Sequence, residues 1–214
     1  GRVTREASLP GLSSWLRVRD YRVYQLSQKS NAQLYLSSKM SVNDIIGFDS
    51  DTVCIATGAT WRNDWVGSTN FDKMITKKYN LFTPDDIMSK KMPIISSPNF
   101  IVYDDDHYYM ASTIAEKLAK DGYCVTYITP LPTIASWTQY TLEQAAIIER
   151  LQSLGISFLL NCKMTQDQRF FNTIENKELQ VDIENLVFVG GRKPNDKLFC
   201  DSKFIKLQEN VFSI

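Results

Sequence analysis

Phe100 to Pro130 reads FIVYDDDHYYMASTIAEKLAKDGYCVTYITP, and this stretch decides the fold. Phe100 to Asp104 is an apolar, β-branched run of strand length. Ala111, Ile114, Ala115, Leu118 and Ala119 then recur every three or four residues, which predicts one apolar face of a helix. Asp121-Gly122 predicts its end, because glycine takes a left-handed cap without steric cost. Cys124 to Thr129 predicts a second strand.

The pattern recurs downstream. Leu142, Ala145 and Ile148, with Ile147, Leu151 and Leu154, predict a second helix with Thr141 as N-cap and Gly155 as its stop. Ile156 to Asn161 predicts a third strand. Strand–helix–strand–helix–strand with short joints implies parallel pairing through right-handed crossovers. The expected class is α/β, a Rossmann-like parallel sheet with helices on both faces.

The flanks read differently. Ser14 to Gln28 predicts a helix, Gln33 to Leu36 (QLYL) a strand, and Ser41 to Phe48 a short helix capped by Ser41. Thr52 to Thr57 (TVCIAT) predicts a buried strand that stops at Gly58. Trp61 to Asn80 is polar, aromatic and irregular, as expected of a surface excursion. Asn185 to Gly191 (NLVFVGG) predicts another buried strand, and Asn210 to Ile214 begins one on which the chain stops, as expected of a piece cut from something longer.

Of the 214 residues, 43% are hydrophobic and 22% charged, which argues against disorder. Lys+Arg 24 offset Asp+Glu 24, so no net field steers nucleic acid or an anionic membrane. No apolar run reaches bilayer length, and the amino end lacks a signal-like stretch, so no membrane insertion is expected. Cys54, Cys124, Cys162 and Cys200 form no CxxC pair for zinc or an iron–sulfur cluster. Cys54 and Cys124, inside apolar runs, are expected to be small buried hydrophobes. Without a disulfide framework, a reducing, cytoplasmic compartment is expected. A single histidine, His107, excludes any mechanism that needs two imidazoles.

A dinucleotide seat needs glycines at the first strand–helix turn, where bare backbone approaches the pyrophosphate. Here the turn is Asp104-Asp105-Asp106-His107-Tyr108-Tyr109-Met110, with three carboxylates and no glycine. The second strand ends in Thr129-Pro130, without the acid that would hold a ribose. The frame is present but the phosphate cradle is not, so NAD(P) is not expected to bind in the usual way. Asp104 to His107 make a poor metal set, because adjacent residues leaving a strand diverge while hard-metal loops space their ligands. The acids are expected instead at a helix start, facing the positive end of its dipole. No catalytic or metal-binding residue is assigned. Ala56-Thr57-Gly58-Ala59 ends a strand in small residues, which suits either a structural turn or a close approach to a nucleotide. Trp137 and Tyr140, in a polar joint, read either as a packing staple or as an exposed partner contact. The staple is the default, since aromatics are mostly buried for area. Trp61 and Trp65 carry the same ambiguity.

Several stretches together resemble one family. GRVTREASLPGLSSW (Gly1 to Trp15), DTVCIATGATWR (Asp51 to Arg62), LFTPDDIM (Leu81 to Met88) and YDDDHYYMASTIAEKLAKDGYCVTYITP (Tyr103 to Pro130) are similar to the C-terminal region of the trimethylamine dehydrogenase group of flavoproteins, which includes dimethylamine, histamine and probable dimethylglycine dehydrogenases. WTQYTLEQ (Trp137 to Gln144) and LVFVGGRKPNDKLF (Leu186 to Phe199) extend the match in the family's order. The resemblance implies a parent with a (β/α)₈ barrel carrying FMN and substrate, an iron–sulfur segment, and two nested dinucleotide-binding-like domains. Residues 1–80 and 185–214 would belong to a partial FAD/ADP-binding-like domain. Residues 81–184 would form an inserted NAD(P)-binding-like domain with a degenerate glycine loop.

The resemblance further implies half of an ADP or FAD site, formed by Gly1 and Arg2 with Ala56, Thr57, Gly58 and Ala59. It places Trp137 near the docking groove of an electron-acceptor flavoprotein. FMN and the cluster would belong to the upstream barrel, and the parent is expected to be a homo-oligomer acting on an N-methylated amine, with this portion non-catalytic. Two alternatives stand beside it: the nucleotide-binding part of an NADPH-dependent reductase similar to dienoyl-CoA reductase, and a structural or protein-interaction module with a vestigial nucleotide site.

Overall fold

Successive residues of a strand point to opposite faces, and along Phe100 to Asp104 every residue is buried, so the sheet they enter is covered on both sides. The computed structural model describes residues 1–48, 50–74, 79–89, 97–201 and 211–213. Its first elements are α1 (Arg2–Glu6), α2 (Leu16–Ser27), α3 (Val42–Gly47), β1 (Val53–Ile55), β2 (Ala59–Trp61), β3 (Asn80–Phe82) and α4 (Pro84–Ser89). The central run is β4 (Asn99–Asp104), α5 (Met110–Lys120), β5 (Cys124–Ile128), α6 (Gln144–Ser153) and β6 (Ser157–Leu159). Then come β7 (Cys162–Met164), β8 (Phe170–Asn172), β9 (Lys177–Leu179), β10 (Asn185–Val189), β11 (Arg192–Pro194) and β12 (Val211–Ser213).

The chain divides into two compact units, residues 1–19 with 61–191, and residues 20–60 with 192–214. The sequence reading places its changes at 80 and 185 instead. Asn185–Val189 pairs inside the large sheet, and the return to the smaller unit comes at Arg192.

The larger unit is built on a five-stranded sheet in the order β3-β10-β4-β5-β6, every pair parallel. This is the α/β parallel sheet that the periodicity predicts. Phe100, Val102, Val125, Tyr127, Val187 and Val189 face the helical side, against Ala111, Ile114, Ala115 and Leu118 of α5 and Ile147 and Leu151 of α6. Glu116 of α5, buried, is held by Lys120 at 2.7 Å and by Arg150 of α6 at 2.7 Å, which ties the two helices together. Gly122 and Gly155 close α5 and α6 at φ +94 and +74.

The other face carries Ile101, Tyr103, Ile128, Leu186 and Phe188, and among the described residues it is covered by strands and loop rather than by a helix. The antiparallel sheet β7-β8-β9 supplies Cys162, Met164 and Phe170. Trp65 completes the layer, its ring 4.9 Å from Phe188 and 5.8 Å from Tyr103. The smaller unit has the parallel pair β1–β12 and a small cluster in which Val42 and Ile55 are buried. Ser41 caps α3 as expected, with Asp44 closing the capping box.

Several expectations are corrected. Gln33–Leu36 is not a strand: it finds no ladder partner among the described residues, and Leu34, Tyr35 and Leu36 are exposed. In TVCIAT only Val53–Ile55 is strand, and the run is not buried throughout, because Val53 and Ile55 pack in the cluster with Val42 while Cys54, on the opposite face, is exposed. Cys124, at the open end of β5, is exposed as well, and Cys162 is the buried cysteine among the described residues. Thr141 does not cap α6; Glu143 occupies that position, and Leu142, at φ +60, is turned out to solvent. Trp61 and Trp65 are buried, so the start of that stretch packs into the fold, while Phe71, Asp72 and Lys73 beyond it are exposed. Of the predicted strand Asn210 to Ile214, residues 211–213 form β12, and Asn210 and Ile214 lie outside the described residues.

Trp65 fills a site bounded on three sides by aromatic rings, so Trp65→Ala leaves a large void. We expect a loss of ~3–5 kcal/mol in urea unfolding, whereas Leu36→Ser, at an exposed position, is expected to fall within about 0.5 kcal/mol of wild type. Equal midpoints for the two variants would contradict this packing.

Candidate functional site

In a doubly wound sheet, ligands sit outside the carboxyl ends of the strands where the order reverses. The progression β4 to β5 to β6 runs one way and β10 lies on the other side of β4, so the reversal falls between β4 and β10. At that point the chain fills its own crevice. Arg62 N–H donates to the Gly191 carbonyl at 3.0 Å, and Gly191 N–H donates to the Val66 carbonyl at 2.9 Å. Ser68 N–H and hydroxyl both donate to the Asp105 carbonyl, at 2.9 and 2.8 Å. Residues 62–68 therefore lie across the ends of both strands. Arg62 braces the segment with a two-pronged pair to Asp64 at 2.7 and 2.8 Å, and this hydrogen bond raises the guanidinium pKa and lowers that of the carboxyl.

The Asp105 side chain fastens the segment from beneath. Its carboxylate accepts from Thr69 N–H at 3.0 Å, the Thr69 hydroxyl at 2.5 Å and Asn70 N–H at 3.3 Å. Asp105 itself is fully buried. A Cβ on Gly67 would stand 2.1 Å from Asp105 Oδ2, so glycine is needed here for closeness.

Asp104 is also fully buried and folds back on its own turn, accepting from His107 N–H at 2.8 Å and Asp106 N–H at 3.2 Å. Backbone donors of the kind a nucleotide-binding turn would offer to phosphate thus meet a carboxylate of the same chain. The Tyr127 hydroxyl donates to Asp104 at 2.5 Å, and burial, followed by that carboxylate, pushes the phenol well above its ordinary value. These contacts correct the expectation that the acids start a helix. Helix α5 begins later, at Met110, and none of the acids caps it. Asp104 and Asp105 point inward to tertiary partners.

His107 sits between the two acids, itself buried and at φ +63. Its Nε2 lies 3.4 Å from Asp105 Oδ1 and its Nδ1 3.9 Å from Asp104 Oδ2, ion-pair approaches rather than well-directed hydrogen bonds. Burial disfavours the charged imidazole, but the two carboxylates outweigh it and raise its pKa to about 9.

The residues predicted for a nucleotide are placed as follows. Gly1, exposed, precedes α1, and Arg2 pairs with Glu6 at 3.3 Å and Asp85 at 3.9 Å, all within the larger unit. Ala56, Thr57, Gly58 and Ala59 belong to the smaller unit. There Asn195, which the sequence does not single out, organises them. The Thr57 hydroxyl donates to the Asn195 carbonyl, Asn195 N–H donates to the Gly58 carbonyl at 2.9 Å, and its side chain donates to the Thr57 carbonyl at 3.2 Å. Gly58, at φ +72, has open space where a Cβ would stand.

Trp137 is not a packing staple. It is exposed, its ring 5.8 Å from that of Tyr140, also exposed. Its backbone is fixed from below: Trp137 N–H donates to the His107 carbonyl at 2.9 Å, and buried Thr138 bonds the Ala135 carbonyl at 2.6 Å.

Residues 82–197 match the family model described as OYE-like second alpha/beta domain. Dimethylamine dehydrogenase of Hyphomicrobium sp. (strain x) is 33% identical over 167 residues, 74% of this chain and 22% of that protein. The solved structure of histamine dehydrogenase from Rhizobium sp. 4-9 is 37% identical with a TM-score of 0.90, all of this chain matching 34% of that one. The structure of 6-hydroxypseudooxynicotine amine oxidase from Pseudomonas geniculata N1 is 32% identical with a TM-score of 0.92, all of this chain matching 33% of that one. The chain thus spans about a third or less of the relatives it matches.

The pKa of His107 is higher in the folded chain than in the unfolded one, so its charge stabilises the fold fully below about 6.5 and that stabilisation is lost as pH rises through about 9. We expect the gap in urea midpoint between wild type and His107→Asn to be widest in acid to neutral solution and to close above about 9. A gap independent of pH would show that the imidazole titrates alike in the folded and unfolded chain, so that its charge does not stabilise the fold. Gly67→Ala is expected to destabilise by roughly 1–3 kcal/mol, through the forced retreat of Asp105.

Proposed function

Because this chain belongs to the OYE-like second alpha/beta domain family and to the trimethylamine dehydrogenase group of flavoproteins, we propose that it is the non-catalytic nucleotide-domain part of a flavin-dependent amine dehydrogenase. The parent oxidises an N-methylated amine and passes the electrons to an acceptor flavoprotein.

The filled switch point supports this most directly. Residues 62–68 lie where a nicotinamide dinucleotide would rest, and the turn beneath them spends its donors on Asp104. The unit keeps the sheet of a dinucleotide domain and gives its crevice to its own chain. Electrons then have no nicotinamide to reach here, and a protein acceptor is the remaining route.

In the parent, FMN and an iron–sulfur cluster supply the redox chemistry, and both belong to its barrel side. The four scattered cysteines of this chain offer no cluster ligand set. An adenine nucleotide, as ADP or FAD, is the cofactor this chain would contact. Ala56, Thr57, Gly58 and Ala59 suit it, since Gly58 leaves room for close approach and Asn195 holds the strand end in shape. Trp137 and Tyr140, exposed on a firmly held turn, are the contact for the acceptor.

In the intact enzyme, Trp137→Ala is expected to slow electron delivery to the acceptor about tenfold, the scale of losing one interface aromatic, with reduction of the flavin by amine unchanged. Stopped-flow traces separate the two steps, and unaltered delivery would remove Trp137 from the docking surface.

A further inference from the structure

The turn after β4 holds two structures at once. On one side, Asp105 receives the loop 67–70 through Ser68, Thr69 and Asn70. On the other, the His107 carbonyl receives the N–H of Trp137. Between them lies the only histidine of the chain, buried with both ring nitrogens toward fully buried carboxylates.

Two carboxylates kept from water at close range repel each other, and donors alone do not cancel their charge. A cation between them does. The backbone of His107 is also held in the left-handed region, which a residue with a β-carbon occupies only when its surroundings insist. We propose that His107 is a positioning residue whose positive charge fastens the loop 67–70 and the turn presenting Trp137 to one another. It steadies the loop through Asp105 and the Trp137 turn through its own carbonyl. The groups facing it are Asp104 and Asp105 from its own turn, with Tyr127 of β5 reaching it through Asp104.

The consequence for Trp137 rests on the docking function proposed above, but the coupling itself does not. If the charge is lost, both segments loosen together although they lie about 70 residues apart in sequence. Asparagine tolerates the left-handed backbone, so His107→Asn removes the charge without adding strain.

Hydrogen exchange on the intact chain, corrected for intrinsic rates, tests this. In wild type, protection of the peptides covering 66–70 and 136–140 is expected to fall together as pH rises through about 9. In His107→Asn both exchange roughly tenfold faster at neutral pH and show no such step, as expected of sub-global opening. In an Asp105→Asn background the further effect of His107→Asn on 66–70 largely disappears, because coupled sites are not additive. Should His107→Asn fail to fold, the wild-type profile decides: a shared step supports the proposal, and steps at different pH, or none, overturn it. Loosening confined to one segment in the variant also overturns it. An exchange effect at both segments with undiminished delivery to the acceptor leaves the coupling intact and removes the docking function instead.

Discussion

A buried carboxylate must be paid in hydrogen bonds, and Asp105 is buried completely. The loop 67–70 meets that demand with two backbone N–H groups and a hydroxyl, while its own carbonyl takes two donors from Ser68. Desolvating a carboxylate costs several kcal/mol, and each charge-assisted bond returns about 1.5–3 kcal/mol. Loop and acid are therefore stable only together. This mutual requirement holds residues 62–70 over the ends of β4 and β10, and from it follows what the sheet offers a ligand.

The same arrangement explains the rest of the larger unit. Once the loop is anchored, Trp65 is drawn down onto Phe188 and Tyr103, and the second face of the sheet closes against Trp65 and the antiparallel sheet β7-β8-β9. Asp104, the neighbouring acid, binds the amides of its own turn. His107 balances both charges and passes the order on to the turn beneath Trp137. A coenzyme corner has become a structural joint, with acids where other sheets of this architecture keep glycines.

Much of this was legible in the sequence. The three-and-four spacing of Ala111 to Ala119 marked α5, and the β-branched runs marked β4, β5 and β10. Local rules failed where partners are distant. Asp105 resembled a helix-start residue because its real partners, Ser68 to Asn70, lie more than thirty residues upstream. Asn195 went unnoticed for the same reason, since its partner Thr57 is 138 positions away. Trp61 and Trp65 stand among polar residues, and only the tertiary fold shows that those residues bond one another while the rings go inward. QLYL was misread from the opposite cause: its alternation suits a strand, but a strand also needs a neighbour to pair with.

The central claim is that the switch point of this sheet is closed to dinucleotides. Isothermal titration of the intact parent enzyme with NADPH and with NADH addresses it most directly. We expect no saturable heat from either, in wild type and in a Thr69→Ala variant alike. A one-to-one isotherm with either coenzyme, abolished by a substitution in Asp104 to His107, would contradict the account.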